Sequence, residues 1–381
     1  MHEGKLNQGN IITDGPFIYM NWLAANKGEK ILRTLEYPLY TDAHITGEVI
    51  EGYGPYKFFN AISFLKSGVV NPGIFLRMDL HLSEKLPDFS KTSTEFYHGG
   101  WLPDEISALV SLALGIRLKA CGSTREFYPD GDPFGRPSLD YKPYPILSID
   151  YRRLILPNVA GTHSLEKLTP LSFILKLSPS NLIALIRAAR FYQDALWIAE
   201  SEPSLSWIMF VSAVETAANQ WRKEKDDPID RLKNFNGGKL YDLLFETYDH
   251  ELVERVANLI YKSLGSTKKF IDFVIKFLPG PPMKRPDQWA QLNWSHSSMR
   301  KTLGKVYDYR SRALHDGEQF PAPMCMPPVR LETWESYSER PFGSISSAGG
   351  IWLAKDTPIL LNTFEYITRG SLLNWWKEIG K

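Results

Sequence analysis

The chain has 381 residues, more than one ordinary compact core holds, so two domains are expected. Hydrophobic residues at 43% and charged residues at 23% exclude a disordered chain, and 44 Lys and Arg against 43 Asp and Glu exclude a global field that would draw the whole molecule to nucleic acid or an anionic membrane. The two cysteines, Cys121 and Cys325, are far apart and form no CxxC pair, which excludes a disulfide framework or a local zinc site and fits a reducing compartment.

The leading segment MHEGKLNQGN lacks the basic stretch and apolar run of a secretion signal, and no run of about 18 apolar residues occurs. The expectation is a cytoplasmic protein with no membrane partner. From about residue 12 to 90 the pattern predicts short strands broken by Gly and Pro. The clearest is Leu76-Arg77-Met78-Asp79-Leu80-His81-Leu82, which alternates apolar and polar residues like a half-buried strand. Residues 31–37 (ILRTLEY) and 44–50 (HITGEVI) are less regular candidates.

A helix follows, with Pro103 in its first turn, Asp104 and Glu105 at its positive end, and Ile106, Leu109, Val110 and Ala113 at helical spacing. Residues 121–145 are rich in Gly, Pro and Asp and are expected to be irregular. The organisation expected from this pass is an α+β domain over 1–160, a linker over 161–179, and an all-α domain over 180–381.

The helical part carries apolar residues at spacings of three and four over 180–200, 203–223, 249–278 with a break near Gly265, 296–315 and 356–378. Proline-rich connectors at 279–286 and 321–328 separate the later helices, and about 317–355 is expected as an insertion before the last one. Charge is uneven here. Residues 255–312 hold twelve Lys or Arg against Asp272, Asp287 and Asp308, a net of about +9, enough for a phosphate-binding face.

Within 296–315, Met299, Leu303, Val306 and Ala313 trace an apolar stripe that also contains Arg310. A guanidinium cannot be neutralised by losing a proton, so on a buried face it requires a carboxylate, carbonyls or a phosphate. His315 follows at the helix end, ahead of Asp316 and Gly317. The remaining histidines, His98 among them, have no HxxxH or HExxH spacing, and no metal site or cofactor is expected. P-loop, dinucleotide and nucleophile-elbow motifs are also absent from the sequence.

Arg310-Ser311-Arg312-Ala313-Leu314-His315 resembles the Arg-x4–6-His signature of the HEPN superfamily. Its place late in an all-helical region, after an upstream helix bearing Glu215 in FVSAVETAANQW, is similar to the Apea-like HEPN branch over about 180–381. The resemblance implies a helical bundle that forms a homodimer, with both Arg–His motifs in one cleft, and an endoribonuclease that needs no metal. It implies Arg310 and His315 as catalytic residues, with Glu215, Ser311, Arg312, Tyr309 and Asp316 in supporting or substrate-binding roles. Ser311 departs from the Asn, Asp or His often found after the signature arginine. RNA, with tRNA as a first candidate, is the implied substrate, in a setting of antiviral defence or toxicity. The α+β region is then a sensor or substrate guide open to a phage or cellular trigger. The alternative is a silent HEPN dimer that binds RNA or protein.

Overall fold

The computed structural model describes residues 14–61, 70–82, 90–129, 132–138, 140, 142–147, 149–222, 228–234, 238–247, 250–260, 265–330 and 336–381. The leading decapeptide, and parts of the helices expected over 203–223 and 249–278, lie outside these residues.

The first part is α+β. A helix, α1 (Phe17–Asn26), precedes five strands: β1 (Arg33–Thr41), β2 (His44–Thr46), β3 (Glu48–Val49), β4 (Tyr56–Asn60) and β5 (Asn71–Leu80). After α2 (Leu102–Leu114) come β6 (Lys119–Ala120), β7 (Arg125–Phe127), β8 (Arg136–Pro137) and β9 (Thr162–Ser164). The main sheet is antiparallel in the order β3-β4-β5-β1-β7-β8, with β6 also on β1. The alternation expected in β5 is present: Ile74, Leu76 and Met78 are buried, while Arg77 on the opposite face pairs with Glu36 at 2.7 Å. The expected strand over 44–50 divides at Gly47, whose φ of +79° turns the chain, and β2 leaves the main sheet to pair in parallel with β9. The stretch 121–145 expected as irregular contributes the short β7–β8 hairpin.

Every residue of α2 except Asp104 is buried. The helix contacts α1 and β6 and also the later helices α3 (Pro179–Ile198) and α10 (Leu361–Ile379). Gly115 ends it in the left-handed conformation, and Arg369 of α10 donates to two of its last carbonyls, those of Leu112 and Ala113.

Residues 161–179, expected as a linker, are built into the same core. They hold β9 and a 3-10 helix, Leu165–Lys176, with Leu165, Leu168, Leu171 and Ile174 buried. That spacing of three matches three residues per turn, so one edge of the 3-10 helix is apolar throughout.

The remaining helices are α4 (Pro203–Trp221), α5 (Pro228–Asn234), α6 (Lys239–Thr247), α7 (His250–Ile260), α8 (Ser266–Phe277) and α9 (His296–His315). The break expected at Gly265 precedes α8, with φ +92°. Helices α5 and α6 lie where the sequence reading assigned no element, and with α7 they pack around a separate small cluster of Leu232, Val253 and Ala257. Helix α4 packs against α3, α8, α9 and α10, with Trp207 stacked between Phe320 and Phe364 at 5.2 and 4.6 Å. The segment expected as an insertion contains a 3-10 turn, Ala322–Cys325, and a small hairpin of β10 (Ile345–Ser347) and β11 (Gly350–Trp352).

The buried apolar side chains of the sheet, α2 and the helical layers form one contiguous cluster running from Ile18 to Trp376. Among the described residues no helix is long and apolar enough to cross a membrane.

Candidate functional site

Helix α9 starts at Ser295, whose hydroxyl accepts from the Ser298 backbone N–H, and its apolar residues Met299, Leu303 and Val306 are fully buried. Continuing that face by one helical repeat brings Arg310 to the edge of the core, with its side chain 20% exposed. Its partner is Glu215 of α4, whose Oε2 accepts from Arg310 Nη2 at 2.6 Å. The other oxygen, Oε1, accepts from the Tyr307 hydroxyl at 2.7 Å, and the Tyr307 ring lies 5.6 Å beneath the guanidinium carbon. One carboxylate thus joins two side chains three positions apart on α9, which helical geometry places on the same face.

This arrangement has an electrostatic consequence at Tyr307. Burial, with the hydrogen bond to Glu215 and the carboxylate's charge, pushes its phenol up to about 12, against the opposing effect of Arg310. The guanidinium is only partly satisfied. Among the described residues Nη2 finds an acceptor, whereas Nε is buried without one.

His315 is the last residue of α9 and is exposed. Among the described residues its imidazole has no hydrogen-bond partner. The helix ends as expected: Asp316 N–H bonds the Arg312 carbonyl and Gly317 adopts φ +70°. Five positions along an α-helix separate Arg310 and His315 by about 7.5 Å along the axis and about 140° around it. His315 therefore lies beyond the Glu215–Arg310 contact, at the tip of the helix.

The other candidate residues divide between structural and open roles. The Tyr309 hydroxyl donates to the Asp356 carbonyl at 2.7 Å, and its ring lies 4.5 Å from the Arg312 guanidinium carbon, so it ties α9 to the residue that follows the expected insertion. Burial raises its phenol above the ordinary range. Arg312 binds both carboxylate oxygens of Glu318 at 3.0 Å. Ser311 is half-buried and Asp316 is exposed as the residue capping α9.

The basic face expected over 255–312 is partly neutralised by acids that the linear charge count left out. Arg285 pairs with Glu339 at 2.7 Å, Lys305 with Asp356 at 3.0 Å, and Arg312 and Arg310 with Glu318 and Glu215. Arg300 pairs with Asp272, inside the segment, at 2.7 Å. Lys268, Lys276 and Lys301 remain exposed on α8 and α9.

Tyr307 is the residue that the sequence reading missed. Its signal was available, since it lies three positions before Arg310, but an aromatic on a buried helix face reads first as core. Among the described residues no three His, Cys, Asp or Glu side chains gather as a metal site. No family model, no curated protein and no solved structure matches the chain, so the site is read from its own residues.

Proposed function

We propose that the chain is a HEPN-type endoribonuclease that cuts RNA without a metal ion, with Arg310 and His315 at its centre. The observation that supports this reading most is a partly satisfied guanidinium at Arg310 followed, five positions later on the same helix, by the exposed imidazole of His315. Arg310 is oriented by Glu215 through one nitrogen and keeps donors for a phosphate oxygen. His315 can take the proton from a ribose 2′-OH as that oxygen attacks the adjacent phosphorus, or return one to the departing 5′-oxygen. The products are a 2′,3′-cyclic phosphate and a 5′-hydroxyl, and DNA is inert because it lacks the 2′-OH. Exposed Lys268, Lys276 and Lys301 supply sequence-independent attraction for the backbone.

In this reading the helical part is a HEPN bundle acting as a homodimer, so that two Arg–His pairs face one substrate, with tRNA the first candidate. Cytoplasmic action in antiviral defence, or as a toxin, follows from the family resemblance, with the α+β part receiving a phage or cellular trigger. A second reading, a silent HEPN module that binds RNA or protein, is favoured by the same Glu215–Arg310–Tyr307 contacts, because they also serve as a structural bridge between α4 and α9.

The two readings separate in one assay. Purified protein is incubated with total RNA and with tRNA in EDTA, beside Arg310→Ala and His315→Ala. The expected result is cleavage with cyclic phosphate ends that falls at least about 100-fold in both variants, the scale of losing one proton-transfer or charge-stabilising group. Circular dichroism on Arg310→Ala checks that the bridge is dispensable for folding. RNA binding without cleavage by the wild type supports the silent module instead.

A further inference from the structure

Away from α9, a cavity of about 810 Å³ opens between the start of α1, the loop before α2 and the middle of α3. That volume lies in the range that encloses a small organic ligand. One wall is aromatic: the rings of Phe17 and Trp101 lie 5.4 Å apart, and His98 meets Phe17 edge-on at 6.4 Å. Tyr97, 69% exposed, stands at the mouth. The loop that carries it is held by Arg187, which donates to the carbonyls of Thr94, Glu95 and Tyr97. Tyr97 is therefore displayed by backbone hydrogen bonds and not by burial of its own ring.

Two features of the lining point to a bound molecule. The His98 side chain is 1% exposed, and neither ring nitrogen makes a hydrogen bond among the described residues. Nε2 lies 2.9 Å from Glu105 Oε1 out of alignment, and Nδ1 has no partner. A buried polar group left this way costs free energy that a ligand hydrogen bond recovers. The second feature is the charge pattern. Lys142 is matched by Asp104 at 2.6 Å and Lys119 by Asp194 at 3.1 Å, whereas Arg190 has no carboxylate partner among the described residues and donates to the Gly99 carbonyl at 3.4 Å. Gly100 makes this placement possible, because a Cβ there would lie 2.6 Å from Arg190 Nη1.

The geometry points to a nucleoside 5′-monophosphate as the occupant of this cavity. Its base is planar with a hydrogen-bonding edge, suited to the aromatic wall and to His98. Its single phosphate meets the one unmatched cation, Arg190. The rest of the lining carries Lys119 and Lys142 against Glu95, Asp104 and Asp194, a net negative balance that disfavours a triphosphate. This site is independent of the nuclease reading, since its residues lie on α1, the loop before α2, α2, β6, the 142–145 segment and α3, and none on α9.

The test is calorimetric titration of the full chain with the four ribonucleosides, their 5′-monophosphates and ATP. At least one monophosphate binds one-to-one and about tenfold tighter than its nucleoside, an increment of one charge-assisted contact. Tyr97→Ala, an exposed position, weakens both by about tenfold or more through lost stacking. Arg190→Ala makes nucleoside and monophosphate bind alike, and Arg310→Ala leaves all affinities unchanged. The assignment is overturned by any of four outcomes: no saturable binding at about 1 mM, equal affinity of nucleoside and monophosphate for the wild type, binding untouched by both cavity substitutions, or binding abolished by Arg310→Ala. The last would place the ligand on α9.

Discussion

Glu215 occupies a demanding position, one carboxylate serving a cation and a phenol at the edge of the core. Its effect on Tyr307 gives a pH prediction whose sign is definite. Below about pH 10 the phenol is neutral in both folded and unfolded chains and contributes nothing to pH dependence. Between about 10 and 12 the unfolded chain ionises while the folded one resists, so stability falls as pH rises through this window. The loss from this one group is at most about 2–3 kcal/mol, from the size of the shift. Tyr307→Phe removes that increment, so denaturant unfolding at pH 9 and pH 11.5 should show a smaller stability loss than in the wild type. An identical loss in both would mean that Tyr307 is not held as described.

At the scale of elements, two helices end on left-handed glycines whose surroundings differ. Gly317, after α9, has open space where a Cβ would stand, whereas Gly115, after α2, would place one 2.7 Å from Arg369 Nε. Gly317→Ala should therefore cost only the conformational penalty, about 1 kcal/mol. Gly115→Ala should cost clearly more, since it also displaces the arginine that satisfies two carbonyls of α2. Equal midpoint shifts in guanidinium unfolding would refute that role for Arg369. The course and the C-terminal end of α9 were legible in the sequence because period and cap are local: the stripe of Met299, Leu303 and Val306, and Gly317 each act through neighbours within a turn or two. The 3-10 helix over 165–176 was not, because its leucines repeat every three residues and neither the α nor the β period reveals it.

For the whole molecule, the contiguous core makes a stronger statement about cooperativity than chain length does. Arg117 sits fully buried between the two parts, donating to Asp42 at 2.7 Å, to Glu200 at 2.5 Å and to the Leu196 carbonyl at 3.0 Å. Replacing it by Met leaves two carboxylates without their cation and should cost about 3–5 kcal/mol. With α2 shared between sheet and helices, calorimetry of the wild type should show one main transition spanning both parts. Two resolved transitions, with Arg117→Met affecting neither, would indicate independent units on either side of residue 160.

The sequence by itself established the chemistry placed on one helix: an arginine on an apolar face, a histidine at the tip, and the demand that the arginine find a counter-charge. It also established the change from short strands to amphipathic helices. It named Glu215, 95 positions upstream, in a supporting role without deciding between a contact with Arg310 and an exposed position, and it did not reveal that Glu339, Asp356 and Glu318 offset much of a segment that looks strongly basic when read linearly. Nor did it reveal that His98, Arg190 and Trp101 border one cavity. The reason is the range over which each signal acts. Periodicity and capping arise from contacts within a turn or two of the chain, whereas ion pairing and cavity lining depend on how distant elements pack, and packing leaves no fixed spacing in the sequence.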